Sequence, residues 1–251
     1  MVLILRYLIL FSYDGSMFNG FQKQPNKRTV QEEVEKVLTM INGGKKVVIT
    51  AAGRTDALVN ALNQAAHFDF DKKIPLEKFK KAINTYLPSD IHVNKIMKVS
   101  CDFHARYLTK SKTYEYKINI GEYNPLLRSQ VYQYGKPLDI TKIADALKYF
   151  KGTHDFTTFT SSEDKRENKV RTIYDASVNQ DDDIITISFT GNGFLKYQIR
   201  NMVGLLIEIG AGKKNPCVVK KTLDEKDRTK IGVTASACGL TLVKVEYDNY
   251  N

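Results

Sequence analysis

The order of apolar patterns along the N-terminal part of the chain is the feature that most constrains the fold. Strand-like apolar runs lie at 1–11, 45–50, 63–70 and 91–99. Apolar side chains at helical spacing fill 30–41, after the first of these runs, and 76–87, after the third. The sequence therefore predicts the element order βαββαβ, which is typical of a ferredoxin-like unit.

Local signals mark the ends of the two helices. Thr29, followed three residues later by Glu32, predicts a capping box at the start of the first helix. The run Asn42-Gly43-Gly44 predicts the end of that helix, and Pro75 predicts the start of the second.

The rest of the chain repeats this organisation more loosely. Strands are predicted near 103–108, 112–120, 129–134, 171–179, 183–190 and 239–247, and helices over 139–150, 195–209 and shortly after Pro216. No Pro- or Gly-rich linker separates the two halves. We therefore expect an α+β protein with an N-terminal domain over 1–104 and a C-terminal domain over 105–251, joined through a common, largely antiparallel sheet.

The composition is that of a folded, basic protein. A hydrophobic content of 42% with 26% charged residues excludes an intrinsically disordered chain. Lys and Arg number 38 against 28 Asp and Glu, which gives a net charge of +10. This excess favours a polyanionic partner, with nucleic acid as the first candidate, while a merely basic, well-solvated surface is the alternative.

The cysteines and the N-terminal sequence indicate the cellular compartment of the protein. Cys101, Cys217 and Cys238 are odd in number and form no C-x-x-C pair, which favours a reducing environment. The four histidines lack metal-ligand spacing, so we expect no metal site. The N-terminal apolar run lacks a basic segment before it and is interrupted by Arg6, and no stretch approaches the ~20 apolar residues of a membrane span. We therefore expect a cytoplasmic protein with no membrane partner.

The segment around Asp56 is the first candidate for chemistry. Asp56 stands on a small-residue loop, two positions after Arg54 and between two predicted strands. A carboxylate displayed beside a cation is a candidate catalytic group, although Asp and Gly are also ordinary turn residues. The chain has no Walker-type loop, no complete dinucleotide-binding motif and no G-x-S-x-G, so those site classes have no support.

Several segments resemble the TruA family of tRNA pseudouridine synthases. The loop at 52–56 is similar to the catalytic motif of that family, A-G-R-T-D. The other similar segments, in family order, are 13–15 (YDG), 20–26 (GFQKQPN), 29–31 (TVQ), 103–106 (FHAR), 112–116 (KTYEY), 155–159 (DFTTF), 171–173 (RTI), 193–204 (GFLKYQIRNMVG) and 237–242 (ACGLTL).

The resemblance implies a fold, a reaction and roles for five residues. It implies the pseudouridine synthase fold, with an active-site cleft between two ferredoxin-like halves, and isomerisation of uridine in the anticodon stem-loop of tRNA without a cofactor. Asp56 corresponds to the catalytic carboxylate, and Arg200 to its cationic partner. Tyr114 and Leu240 correspond to residues on either face of the uracil. Arg54 corresponds to the residue that fills the space left by the flipped base or holds the displaced backbone. The family also implies a homodimer.

This chain departs from the family pattern just after the catalytic motif. The family continues x-G-V-H-A after the aspartate, whereas this chain has Ala57-Leu58-Val59-Asn60-Ala61. Losing the glycine removes easy access to positive φ, and losing the histidine removes a donor that could touch the RNA or the loop. A further change is Ala235-Ser236-Ala237, where A-P-A is usual. Two alternatives therefore stay open: the same chemistry on ribosomal RNA or another tRNA site, and a non-catalytic RNA-binding protein.

Overall fold

The chain divides into two compact units in the computed structural model, which describes residues 4–248. The N-terminal unit comprises Met1–Lys110 with Leu242–Asn251, and the central unit comprises Ser111–Thr241. The boundary expected at 104/105 lies six residues before this division, and the return of the C-terminal residues to the N-terminal unit was not part of that expectation.

The N-terminal unit has the predicted order βαββαβ. Its elements are β1 (Leu5–Tyr13), α1 (Val30–Ile41), β2 (Thr50–Ala51), β3 (Asn60–Phe70), α2 (Leu76–Tyr86) and β4 (Ile91–Val99). β1 pairs antiparallel with both β4 and β3, and β2 pairs antiparallel with β3. The final strand, β10 (Leu240–Glu246), lies beside β3. The first three residues of the predicted first strand lie outside the described residues.

Aromatic side chains form the core of the N-terminal unit. Phe79, from the apolar face of α2, packs against Tyr7 of β1 with ring centroids 5.4 Å apart and against Phe70 of β3 at 4.7 Å. Val34 and Leu38 of α1 are fully buried. Phe79, Ile83, Val34 and Leu38 therefore face inward as predicted, because burial of apolar surface drives the packing. Leu76 and Tyr86, at the two ends of α2, were also predicted to face inward, but they are 38% and 58% exposed.

The strand predicted at 45–50 is wrong for most of its length, because only Thr50 of that run belongs to β2. The backbone N–H of Val47 donates to Thr39 Oγ1 at 3.0 Å, and that of Ile49 donates to Glu35 Oε1 at 3.1 Å. Side chains of α1 thus bind the backbone donors that a strand ladder would use.

The predicted capping box at Thr29 is also wrong. Thr29 is the residue before α1, but its side chain makes no capping hydrogen bond. The backbone N–H of Val30 donates instead to the carbonyl of Gly20 at 3.3 Å, and that of Gln31 to the carbonyl of Phe21 at 3.0 Å. The first helix donors are therefore satisfied by the preceding loop.

The central unit is built on four antiparallel strands. Its elements are β5 (Ser111–Asn119), β6 (Tyr132–Gln133), α3 (Ile140–Leu147), β7 (Gly152–Asp155), β8 (Val170–Asp181), β9 (Ile184–Gly191), α4 (Gln198–Gly210) and α5 (Val218–Glu225). The strand order is β5-β9-β8-β7, and β6 pairs parallel with β5. The α+β class and the mostly antiparallel strand pairing are as predicted, whereas β7 was not predicted.

The strand predicted over 103–108, in the N-terminal unit, is a turn. His104 Nδ1 accepts hydrogen bonds from the backbone N–H groups of Arg106 at 3.2 Å and Tyr107 at 3.3 Å. This side chain-to-backbone bonding stabilises a turn in place of a ladder. Within residues 4–248, no helix is long and apolar enough to cross a membrane.

Candidate active site

Asp56 lies on the loop that connects β2 to β3. The two arms of this loop are held together at its base, where the backbone N–H of Ala52 donates to the carbonyl of Ala65 at 2.8 Å. Further along, Gln64 Nε2 donates to the carbonyl of Gly53 at 3.1 Å. Asp56 is half-exposed and Arg54 is exposed. The loop therefore carries a half-exposed carboxylate and an exposed guanidinium, and hydrogen bonds close it at its base.

A turn follows the carboxylate directly. The backbone N–H of Val59 donates to the carbonyl of Asp56 at 3.3 Å, which closes a four-residue turn. Leu58 occupies the third position of this turn with φ +66°. The loop thus keeps a left-handed residue at the position where the family has glycine, although leucine carries the Cβ that disfavours this conformation.

A second loop, residues 18–21, supports the Asp56 loop through backbone hydrogen bonds. The backbone N–H of Phe21 donates to the carbonyl of Thr55 at 3.1 Å, and that of Leu58 donates to the carbonyl of Phe18 at 3.4 Å. Gly20, with φ +92°, lies so close that a Cβ there would be 3.1 Å from the carbonyl oxygen of Thr55. The same loop caps α1, so the helix, the support loop and the Asp56 loop are connected by backbone hydrogen bonds.

A buried hydroxyl anchors the Asp56 loop from below. Tyr13 Oη lies 2.7 Å from Thr55 Oγ1, and Gln64 Nε2 donates to Tyr13 Oη at 3.5 Å. Burial raises the pKa of Tyr13 to about 12, against the opposing effect of the hydrogen bonds from Thr55 and Gln64. The hydroxyl is therefore neutral at physiological pH, and the anchor carries no charge into the interior.

Asn60 makes a third connection. Its side-chain oxygen accepts a 2.8 Å hydrogen bond from the backbone N–H of Gly15. Gly15 lies so close to the Asp56 loop that a Cβ there would be 2.2 Å from the carbonyl oxygen of Val59. Asn60, which stands where the family has histidine, is 6% exposed. In this chain the residue at that position holds two loops together.

Tyr114 and Tyr116 lie on β5, in the central unit. Tyr114 is buried and meets the edge of the Phe194 ring, with centroids 5.3 Å apart. Tyr116 donates its hydroxyl hydrogen to the carbonyl of Ser236 at 2.8 Å. Burial, foremost, raises the pKa of Tyr116 well above its usual range. β5 is thereby connected to the segment 233–240, which precedes and begins β10.

Arg200 lies on the first turn of α4 and is bound to the same segment. Its Nε donates to the carbonyl of Ala235 at 2.8 Å, and the backbone N–H of Ala235 donates to the carbonyl of Arg200 at 3.0 Å. The guanidinium carbon lies 5.0 Å from the ring centroid of Tyr197, a cation–π distance. Tyr197 itself has φ +64° at the start of α4.

Leu240 is the first residue of β10 and follows Gly239, which contacts β5. The carbonyl of Gly239 accepts from the backbone N–H of Lys117 at 2.9 Å, and a Cβ on Gly239 would lie 2.8 Å from the ring of Tyr116. Within the central unit, the segment 233–240 therefore contacts Tyr116 and Arg200 and ends in Leu240. Within the N-terminal unit, Arg54 and Asp56 share one loop.

The described side chains do not assemble a metal-ligand set. Within residues 4–248, no group of three or more His, Cys, Asp and Glu is placed to hold a metal ion. Within residues 4–248, no disulfide joins the three cysteines, and Cys238 Sγ lies 3.2 Å from Ser236 Oγ.

Comparison with known proteins decides the family. The sequence matches the tRNA pseudouridine synthase family over residues 9–108 and 146–248. The chain belongs to this family. The tRNA pseudouridine synthase A of Streptococcus uberis is 46% identical over 247 residues, which cover 97% of this chain and 99% of that protein. That of Streptococcus mutans is 45% identical over 249 residues, covering 98% of this chain and 100% of that protein. That of Streptococcus gordonii is 46% identical over 246 residues, covering 97% and 99%.

The residues that hold the synthase motifs in place were not found from the sequence. Gly20, Asn60 and Tyr197 act through a close backbone approach, a buried hydrogen bond and a ring contact, respectively. Gly20 and Tyr197 stand within matched segments, and Asn60 marks a departure from the family pattern. None of these signals shows the contact that the residue makes.

Proposed function

We propose that this chain isomerises uridine to pseudouridine in tRNA, with Asp56 as the catalytic carboxylate. The observation that supports it best is the identity of 45–46% to tRNA pseudouridine synthase A of several streptococci over nearly the whole chain. The Asp56 loop adds physical support. It carries the A-G-R-T-D motif and is held by backbone bonds to residues 18–21 and by the buried Tyr13 hydroxyl, and a catalytic group must be held in a productive geometry.

The reaction is balanced within the substrate. The bond from N1 of the uracil to ribose C1′ breaks, the base turns, and a bond forms from C5 to C1′. C5 loses its proton and N1 gains one, so the reaction has no net change in atoms or oxidation state. Asp56 acts at the ribose C1′–C2′ region, and Arg200 orients the reacting groups by charge-assisted hydrogen bonding.

Aromatic and apolar side chains hold the base in this proposal. Tyr114 lies against one face of the uracil and Leu240 against the other. A uridine stacked in RNA cannot reach the carboxylate, so it must flip out, at a cost of a few kcal/mol. Arg54 fills the vacated space or holds the displaced backbone. Its side chain is exposed, which leaves it accessible to RNA.

The anticodon stem-loop is the proposed target, and a homodimer in the cytoplasm is the proposed form. The family resemblance supports both, and the net charge of +10 favours a polyanionic substrate. Ribosomal RNA is the runner-up target. Leu58 and Asn60 motivated it, but Asn60 bonds inward to Gly15 and so gives that alternative less support.

The test compares RNA from cells with and without the gene. Pseudouridine is mapped in tRNA and ribosomal RNA by carbodiimide treatment and primer extension. Loss of pseudouridine from anticodon arms, with restoration by the wild-type gene and not by a gene encoding Asp56→Asn, is the expected result. Loss confined to ribosomal RNA rejects the tRNA assignment and supports the runner-up.

A further inference from the structure

Leu58 adopts a backbone conformation that its side chain disfavours. Five non-glycine residues between 4 and 248 have positive φ, namely Asn26, Leu58, Asp182, Tyr197 and Lys226. Asn and Asp tolerate the left-handed region because their short polar side chains bond locally. Leu58 is the one aliphatic residue among the five. Its φ of +66° places Cβ against the following carbonyl oxygen, so glycine would be the more stable residue here.

Burial does not offset this cost. Leu58 is 45% exposed, although a leucine side chain gains stability by leaving water. A second exposed apolar side chain belongs to a helical turn that packs against this loop: Met17, 70% exposed, ends the turn Gly15–Met17. The first residue of that turn packs on the Leu58–Val59 peptide, since a Cβ on Gly15 would lie 3.0 Å from the carbonyl carbon of Leu58. Two apolar side chains thus face solvent beside the Asp56 loop.

We propose that Leu58 and Met17 form an apolar contact surface for the nucleobase next to the target uridine. The inference rests on the proposed function, which places a flipped uridine at Asp56. Flipping removes a stacking partner from the adjacent base and exposes its flat apolar face. An aliphatic side chain two residues from the carboxylate covers that face, as apolar wedges do at unstacked steps in other nucleic-acid complexes.

The chemistry of the surface favours a base over a phosphate. Leu58 and Met17 offer no charge and no hydrogen-bond donor, so they gain nothing from the RNA backbone. Phosphate contacts fall to cations such as the exposed Arg54 on the same loop. A strained residue that persists beside a catalytic group is a mark of function. Leu58 is therefore a substrate-binding residue of this chain, kept at a cost in stability.

The test is Leu58→Gly, assayed on an unmodified tRNA transcript for melting temperature, KM and kcat, and for the Kd of the RNA. Relief of strain raises the melting temperature by about 2–4 °C. Loss of the apolar contact raises KM and Kd about fivefold, while kcat changes by less than about twofold. Met17→Ala raises KM in the same direction without the gain in melting temperature.

Two controls separate strain from contact. Asp182→Gly places glycine at another left-handed position (φ +48°), in the turn between β8 and β9, and leaves KM unchanged. Met40→Ala removes a 48%-exposed apolar side chain from the far end of α1 and also leaves KM unchanged. A Leu58→Gly enzyme with wild-type KM and Kd, or with a lower melting temperature, overturns the inference. Failure of the wild-type protein to form pseudouridine would overturn the proposed function instead, and RNA binding by the Leu58 variants would still decide the inference.

Discussion

The backbone N–H of Gly15 donates a 2.8 Å hydrogen bond to the side-chain oxygen of Asn60, in the buried layer behind the Asp56 loop. This bond joins the first turn after β1 to the first residue of β3. Asn60 therefore replaces the family's histidine with a group that bonds inward. The loop that carries the carboxylate depends on a contact that the family motif does not specify.

Asn60→Ala should lower the free energy of unfolding by about 1–3 kcal/mol, because it leaves the buried N–H of Gly15 unpaired. Urea denaturation measures the loss. Asn192 is the matched control, since its side-chain oxygen accepts from the backbone N–H of Thr172 at 3.0 Å in an exposed position. Asn192→Ala should cost less than about 1 kcal/mol, because water replaces the bond. Equal losses in both variants would contradict the buried role of Asn60.

Gly20→Ala should lower kcat while leaving RNA binding near wild type. The added methyl group would press on the Thr55 carbonyl oxygen at 3.1 Å and on the backbone nitrogen of Ala57 at 3.2 Å, and so displace the carboxylate between them. Gly44→Ala is the control, because Gly44 also has positive φ, at +88°, but has nothing within 4 Å of the new Cβ. Both variants carry the same backbone strain, and only the first should lose turnover. Similar kcat values in the two variants would argue against a role of residues 18–21 in positioning the Asp56 loop.

Gly204→Ala should destabilise the protein, against the trend for helices. Alanine in place of glycine within a helix normally stabilises by about 1 kcal/mol. Here the new Cβ would lie 1.9 Å from the carbonyl oxygen of Val233, so the segment that binds Arg200 through Ala235 must move. A lower urea midpoint and reduced turnover are expected. A higher urea midpoint would show that the segment around Val233 moves without a loss of stability.

His67 should make stability fall as the pH drops from 6.5 towards 4. Burial, foremost, lowers the pKa of His67 to about 4, helped by the charge of Arg6, while Nδ1 accepts from the backbone N–H of Ala105 at 3.1 Å. The folded pKa lies below the ordinary value of 6.5, so the unfolded chain binds the proton first. The stabilisation that neutral His67 adds to the free energy of unfolding is complete above pH 6.5. It is lost below that pH, at up to about 1.4 kcal/mol per pH unit.

Thermal melts from pH 7.5 to 4 measure this slope. His67→Gln keeps a hydrogen-bond acceptor without a titrating ring and should flatten it. His154→Gln, which changes a half-exposed histidine, should keep the wild-type slope. An unchanged slope in His67→Gln would assign the acid sensitivity to other groups.

Periodicity predicted the elements that pack by their own apolar faces. α1 and β4 have the expected bounds, because Val34, Leu38, Val93 and their neighbours alternate between core and solvent with the right period. The strand at 45–50 was wrong because Thr39 and Glu35, side chains of a different element, bind its backbone donors. A contact of that kind leaves no local pattern in the sequence.

The motifs located the candidate site, but not the means by which it is held. Asp56, Tyr114 and Arg200 were identified by resemblance, since each stands in a specific run of letters. Nothing in the sequence shows that Leu58 would keep the left-handed conformation, because that is set by the turn and by its bond to the carbonyl of Phe18. Tertiary context overrides the residue's own preference at that point.

The kcat of Asp56→Asn on an unmodified tRNA transcript, measured beside the Kd for the same RNA, tests the central claim most directly. The amide has nearly the shape of the carboxylate, so folding and RNA binding should be preserved. The account predicts a Kd close to wild type and a loss of turnover by several orders of magnitude. Turnover within about tenfold of wild type would contradict the assignment of Asp56 as the catalytic carboxylate.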